Sequence, residues 1–320
     1  MTILGQHHVT AVTGDVGPNL HFYVRTLALR LVKRTVNQDD LSAYHLFYGN
    51  ARAEPGTELT FFEWRNTPVR RAGTGEAGLT SFRVPSRAAL EWWDVRFRTL
   101  GVPADPITEH GGRTILPFRD PDGLPLALVN AGTGTDRIDA GTEGPAVPAA
   151  AAIAGLGPVT LVVADAMATI ALLTKVLGYR VEDAEARDSS GMPLVRLATG
   201  EGGASAEVLV ASRPELLPAR GGRGGVHHVA FRVATDVEQL EWEQRLDEAG
   251  VATSGIINRF YFKSLYFREP GGVLFELATD GPGLDADEPL ETIGSRLALP
   301  PFLEPSRQRI EAGLTPLPVF

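Results

Sequence analysis

Three residues far apart in the chain are of the types that hold a divalent metal: His8, His228 and Glu276. Two imidazoles and a carboxylate, with no thiolate to join them, suit Fe(II) or Mn(II) held on one face, leaving coordination positions open for a substrate. Strand parity brings the three together, because side chains alternate between the faces of a strand with a period of two. From residue 228 to 233, Val229, Phe231 and Val233 form a wholly apolar face suited to packing on a helix, which leaves His228 on the concave face with Ala230 and Arg232. From 273 to 278, Val273, Phe275 and Leu277 are the apolar set, and Glu276 shares the concave face with Leu274 and Ala278. A carboxylate between Phe275 and Leu277 is costly to bury without a partner, and a divalent cation would supply one. In the first strand His8, Thr10 and Val12 share a face, opposite His7, Val9 and Ala11. A lone histidine or strand glutamate is more often structural than ligating, but three at equivalent positions on one face read as a metal site. His7 and His227 have the wrong parity to ligate. His7 reads as structural, whereas His227, at a strand start, can still reach the cavity. His21 and His110 fall on a helix and a loop, and His45 has no assigned role.

The elements that must position these residues repeat four times. Residues 9–34 run strand, turn, amphipathic helix and strand, ending Leu-x-x-Arg at Leu27–Arg30, and residues 159–181 repeat that order through Leu177-Gly178-Tyr179-Arg180. A second pattern recurs more closely. Phe82-Arg83-Val84, a helix ending Leu100-Gly101-Val102, and Phe118-Arg119-Asp120-Pro121-Asp122-Gly123 are matched by Phe231-Arg232-Val233, Ala249-Gly250-Val251 and Phe267-Arg268-Glu269-Pro270-Gly271-Gly272. The Asp/Glu-Pro-x-Gly segments predict hairpin turns, with Pro fixing φ and Gly free to take φ > 0. The chain therefore reads as an α+β protein of four βαβββ units, at about 5–65, 76–131, 155–212 and 225–280. They group into two domains, 1–131 and 155–280, joined by a linker at 132–154 and followed by a tail, 281–320, with a short helix at 304–313. Aligned on the repeats, Leu79 stands against His228, Ala127 against Glu276 and Pro158 against His8, so units one and four share one site and units two and three form a blank counterpart.

The bulk properties narrow the function classes. With 43% hydrophobic residues in 320, the chain can bury a substantial core. A formal charge of −9 disfavours phosphate backbones, so no nucleic-acid partner is expected. The absence of cysteine excludes disulfides, thiolate sites and cysteine nucleophiles. There is no basic and apolar leader and no run long enough to span a bilayer, so a cytoplasmic location with no membrane partner is expected. A homo-oligomer stays open.

The chain resembles the vicinal oxygen chelate superfamily, the glyoxalase-like fold, and within it the ring-cleaving dioxygenases of the chlorohydroquinone 1,2-dioxygenase type. The resemblance spans nearly the whole chain. It is carried by His7-His8-Val9-Thr10, Leu31-Val32-Lys33-Arg34-Thr35-Val36, Tyr44-His45-Leu46, Pro55-Gly56-Thr57, Glu91-Trp92-Trp93, His227-His228, Asn258-Arg259, Tyr261-Phe262, Tyr266 and Pro270–Glu276. It implies Fe(II) on His8, His228 and Glu276, opening a hydroquinone or related dihydroxylated aromatic ring with O2. It also implies roles beside the metal for Thr10, His227, Arg259 and Tyr266, with His227 or Tyr266 moving the phenolic proton and Arg259 or Tyr266 stabilising negative charge. In the bland alternative, Thr10 bonds backbone, Arg259 makes a surface ion pair and Tyr266 fills the sheet. Two rival functions use the same fold. A glyoxalase-like isomerase or lyase would recruit a fourth protein ligand. Aligning Pro55-Gly56 with Pro270-Gly271 puts Phe61 opposite Glu276, with Glu63 two residues on as the candidate. A non-enzymatic, drug-sequestering binding protein would not need the triad.

Overall fold

The computed structural model describes residues 1–131 and 147–317. Much of the expected linker, 132–146, lies outside the described residues, as does the end of the tail, 318–320. Each of the four units forms as its repeat predicts. Unit one holds β1 (Gln6–Thr13), β2 (Arg30–Asn37), β3 (Asp40–Gly49) and β4 (Glu58–Glu63). Unit two holds β5 (Glu76–Val84), β6 (Thr108–His110), β7 (Arg113–Arg119) and β8 (Pro125–Asn130). Unit three holds β9 (Gly155–Val163), β10 (Arg180–Asp183), β11 (Val195–Ala198) and β12 (Glu207–Ser212). Unit four holds β13 (Val226–Val233), β14 (Thr253–Asn258), β15 (Lys263–Arg268) and β16 (Leu274–Thr279).

A helix follows the first strand of every unit: α1 (Val16–His21), α2 (Arg87–Leu100), α3 (Ala166–Ala171) and α4 (Asp236–Glu248). In units one and three it runs on as a wider π turn, Phe22–Thr26 and Leu172–Val176. Local chemistry sets the ends of α2. The Ser86 side chain accepts from the Ala89 amide at its start, and Gly101 takes φ 70° at its finish, the left-handed conformation that suits glycine. Its apolar stripe, Leu90, Trp93 and Phe97, is fully buried.

The strands assemble into two eight-stranded sheets, β14-β15-β16-β13-β1-β4-β3-β2 and β10-β11-β12-β9-β5-β8-β7-β6. Units one and four thus share one sheet through the antiparallel pair β1·β13, and units two and three share the other through β5·β9. Val9, Ala11, Val229, Phe231, Phe275 and Leu277 are wholly buried in the main core on the helix side, as parity predicts. The expected turns form between β7 and β8 and between β15 and β16, with Gly123 at φ 83° and Gly272 at φ 103°. Their carboxylates also reach across to the neighbouring unit's helical segment. Asp120 accepts from the Tyr23 hydroxyl (3.1 Å), and Glu269 accepts from the Thr169 hydroxyl (2.6 Å).

The tail packs back on the sheet of units one and four. Leu284 and Ile293 join a cluster with Val32, Phe47, Tyr261 and Phe262. Lys33, 0% exposed, is held by Asp287 (2.7 Å) and Glu288 (2.6 Å). The expected helix appears as a 3-10 turn, Glu304–Ser306, leading into α5 (Arg307–Gly313).

Candidate metal centre

Register explains why three distant residues meet. In β1·β13, His8 lies opposite Ala230 and Thr10 opposite His228, and in β13·β16 Ala230 lies beside Glu276. The result is one cluster. His8 Nε2 and His228 Nε2 are 3.1 Å apart, and Glu276 Oε2 is 3.4 Å from the first and 3.0 Å from the second. Metal–ligand bonds of about 2.0–2.2 Å place adjacent ligands of one ion about 3 Å apart, so this triangle has the size a small divalent cation needs. Among the described residues these three are the only group of histidines and carboxylates close enough to share an ion.

The charge states also fit a metal. Glu276 is fully buried, and neither of its carboxylate oxygens has a hydrogen-bond partner. An orphaned buried carboxylate is expensive, and a cation at the centre of the triangle would satisfy it. Burial pushes the His228 imidazole down. Carboxylate and neutral imidazole are the forms that bind metal.

The histidine preceding each ligand braces it. His7 Nδ1 lies 2.9 Å from His8 Nδ1, and His227 Nδ1 lies 2.8 Å from His228 Nδ1. With the ligand Nε2 atoms turned to the cluster, each ligand Nδ1–H donates outward, which fixes its ring. His7 Nε2 in turn donates to the Thr279 carbonyl (3.1 Å). Burial and the adjacent ligand imidazole push both His7 and His227 down to about 3, so both are neutral acceptors. Simple parity excludes such contacts between successive strand residues. They arise because the β1·β13 pairing slips by one residue twice, at Gln6/His8 and at Thr10/Ala11 opposite residues 228–226. Such bulges re-aim side chains. His7, read from the sequence as structural, thus touches the candidate ligand His8. The doubled His-His, in the first strands of units one and four, was the signal available in the sequence.

A cavity of about 430 Å³ opens beside the cluster, walled by aromatic side chains that include Phe47, Phe62, Trp64 and Phe262. His227, Arg259 and Tyr266 all line it. Tyr266 packs edge-on to His228 (5.6 Å between centroids), and burial raises its hydroxyl above the usual tyrosine range. Arg259 lies over the Tyr266 ring and is bidentate to Asp39. Thr10 is not part of the wall. It is fully buried and bonded to Thr60 (2.7 Å), whose hydroxyl also meets His45 Nε2 (2.9 Å). His45, unassigned from sequence, lines the cavity between Phe47 and Phe62.

The fourth-ligand expectation changes in two respects. Thr10 lies beside Thr60 in β1·β4 as Ala230 lies beside Glu276 in β13·β16, so the position equivalent to Glu276 is Thr60 and not Phe61. Phe61 is buried on the helix side, tilted against Tyr23 (4.7 Å between centroids). Glu63, two residues on, shares that face. It bonds Thr315 and approaches Arg65, away from the cluster.

The blank counterpart is where the repeats put it. Leu79 lies opposite Thr160, and Ser81 beside Ala127, the register of His228 and Glu276. Leu79, Ala127, Pro158 and Leu209 enclose only about 10 Å³. Register slips recur there too, and glycine occupies the positions of His227 and His7: Gly78 and Gly157, where an added Cβ would come within 2.7 Å of a neighbouring side chain.

A family model described as the Glyoxalase/Bleomycin resistance protein/Dioxygenase superfamily matches residues 5–128 and 155–277. MhqA of Bacillus subtilis (strain 168), whose name assigns it provisionally to the ring-cleaving dioxygenases, is 44% identical over 99% of this chain and 100% of its own length. A protein of Sphingobium indicum named chlorohydroquinone/hydroquinone 1,2-dioxygenase is 31% identical over 94% of this chain and 92% of its own. A crystal structure from Bacillus subtilis, described provisionally as a dioxygenase, superposes with a TM-score of 0.91 at 37% identity, covering 99% of this chain and 98% of that one.

Proposed function

Because the chain belongs to the Glyoxalase/Bleomycin resistance protein/Dioxygenase superfamily, we propose that it opens a hydroquinone or related dihydroxylated aromatic ring with O2, using Fe(II) held by His8, His228 and Glu276. The observation that carries this reading is the orphaned Glu276 carboxylate facing two imidazole Nε2 atoms at the wall of an aromatic-lined cavity. The relatives named as ring-cleaving dioxygenases support it along the full length of the chain.

When bound, the ion would lower the pKa of a ring hydroxyl and carry electron density from ring to O2. The rest of the task falls to the protein. Phe47, Phe62, Trp64 and Phe262 hold the ring by its faces and edges and keep water from it. His227 accepts the His228 N–H at Nδ1, so its own proton sits on Nε2, the atom left to donate to a substrate oxygen. The Arg259 guanidinium above the Tyr266 ring favours negative charge at the Tyr266 hydroxyl and on substrate oxygen beside it. Both oxygen atoms end in the ring-opened product, so no external reductant is needed. A glyoxalase-like site would draw a fourth ligand, a second carboxylate, from the unit-one strand, where Thr60 stands, so coordination positions stay open to substrate and O2.

The test is anaerobic reconstitution with Fe(II), followed by O2 uptake on a panel of hydroquinones and catechols. Uptake with a new ring-opened absorbance is expected. Glu276→Gln, isosteric but uncharged, should retain less than about a tenth of the iron by elemental analysis while its circular dichroism is unchanged. Undiminished iron content and O2 uptake in that variant would refute the site.

A further inference from the structure

The two outer edges of the metal-bearing sheet, β2 and β14, are laced together across the cavity mouth. The turn between β2 and β3 supplies Gln38, whose Nε2 donates to the Arg259 carbonyl (2.7 Å), and Asp39, whose Oδ1 and Oδ2 accept from Arg259 Nη1 (3.0 Å) and Nη2 (2.8 Å). Arg259 is the only arginine or lysine among the described residues lining the cavity. Its fork is closed by Asp39, and its guanidinium carbon sits over the Tyr266 ring, 5.6 Å from the centroid. A second carboxylate, Asp40, stands beside Asp39 at the mouth. The remaining wall is aromatic or neutral. A ring bearing an alkyl group or halogen would find apolar surface. A ring bearing a carboxylate would find no open guanidinium fork to receive it and the like charge of Asp40 at the entrance.

We infer that the cavity selects dihydroxylated rings whose other substituents are uncharged, and that Asp39, by engaging Arg259, is the residue that sets this selectivity. The inference rests on the aromatic-ring reading of the cavity and deepens it. Neutralising Asp39 would leave the Arg259 charge uncompensated and its fork open, so one substitution should move the preference toward carboxylated rings.

The probes are methylhydroquinone and 2,5-dihydroxybenzoate, which differ by a methyl exchanged for a carboxylate. Their equilibrium binding to the Fe(II)-loaded protein is measured anaerobically by calorimetry, and O2 uptake is measured separately. The expected result is at least tenfold tighter binding of methylhydroquinone to the wild type, with Asp39→Asn narrowing that ratio at least tenfold. Gln38→Ala breaks the adjacent edge contact without freeing the guanidinium and should leave the ratio in place. That variant separates charge from mere loosening of the mouth. Equal binding of both rings by the wild type, an unchanged ratio in Asp39→Asn, an equal shift in Gln38→Ala, or no binding of either ring would overturn the inference. Because the ratio is read from binding, a protein that binds the rings selectively but takes up no O2 would defeat the dioxygenase reading and leave this one standing.

Discussion

At the scale of single residues, the centre depends on groups that never touch a metal. His8 can present Nε2 at a fixed angle because its Nδ1–H has an acceptor in His7, and His7 can accept because its own Nε2–H is spent on the Thr279 carbonyl. Removing such an outer partner typically weakens metal binding about 10- to 100-fold. His7→Leu should show a loss of that order in a competitive chelator titration, with all three ligands intact. Affinity equal to wild type would mean that the contact is incidental. Strand alternation and the repeats were enough to bring His8, His228 and Glu276 to one face, because the opposite face is wholly apolar in the strands of His228 and Glu276. They could not find the contact His7 makes, because the bulge that re-aims that side chain is a property of two paired strands. Asp39 was equally hidden. Its importance comes from Arg259, more than 200 positions away, and nothing local to either residue announces the pair.

At the scale of elements, the repeated turns do two jobs. Asp120 caps its own hairpin through the Asp122 and Leu124 amides and also reaches Tyr23 in unit one. Burial pushes its carboxyl up to about 6. A group whose folded pKa is raised favours the fold fully below its unfolded pKa, near 4, and loses that contribution as pH rises toward 6. Asp120→Asn cannot ionise, so its urea midpoint relative to wild type should climb between pH 4 and pH 7. The gain is bounded at about 3 kcal/mol. A difference that stays constant with pH would show that the carboxyl does not titrate there. These turns were legible because Pro and Gly fix dihedrals locally. The π-helical continuations after His21 and Ala171 were not, because the helical period of the sequence does not register one widened turn.

At the scale of the whole molecule, the tail is secured by charge as well as by apolar packing. Lys33 is wholly buried between Asp287 and Glu288, and Glu288 is itself buried. Breaking one partner of such a cluster typically costs about 3–5 kcal/mol, because the other charge is stranded. Lys33→Met should lower thermal stability and expose the tail to limited proteolysis beyond residue 281 before the sheets are cut. Simultaneous loss of tail and core would show that the tail is no separate brace. The nested sheet pairing has a further consequence, for the order in which a ribosome releases the chain. Units two and three are neighbours along the chain and can pair while synthesis continues, but β1 waits for β13, and His8 waits for a partner 220 residues later. Until that partner emerges, the opening strand is an unpaired edge carrying an incomplete metal site. The half of the protein that carries the candidate metal centre is the half whose sheet is completed last along the chain.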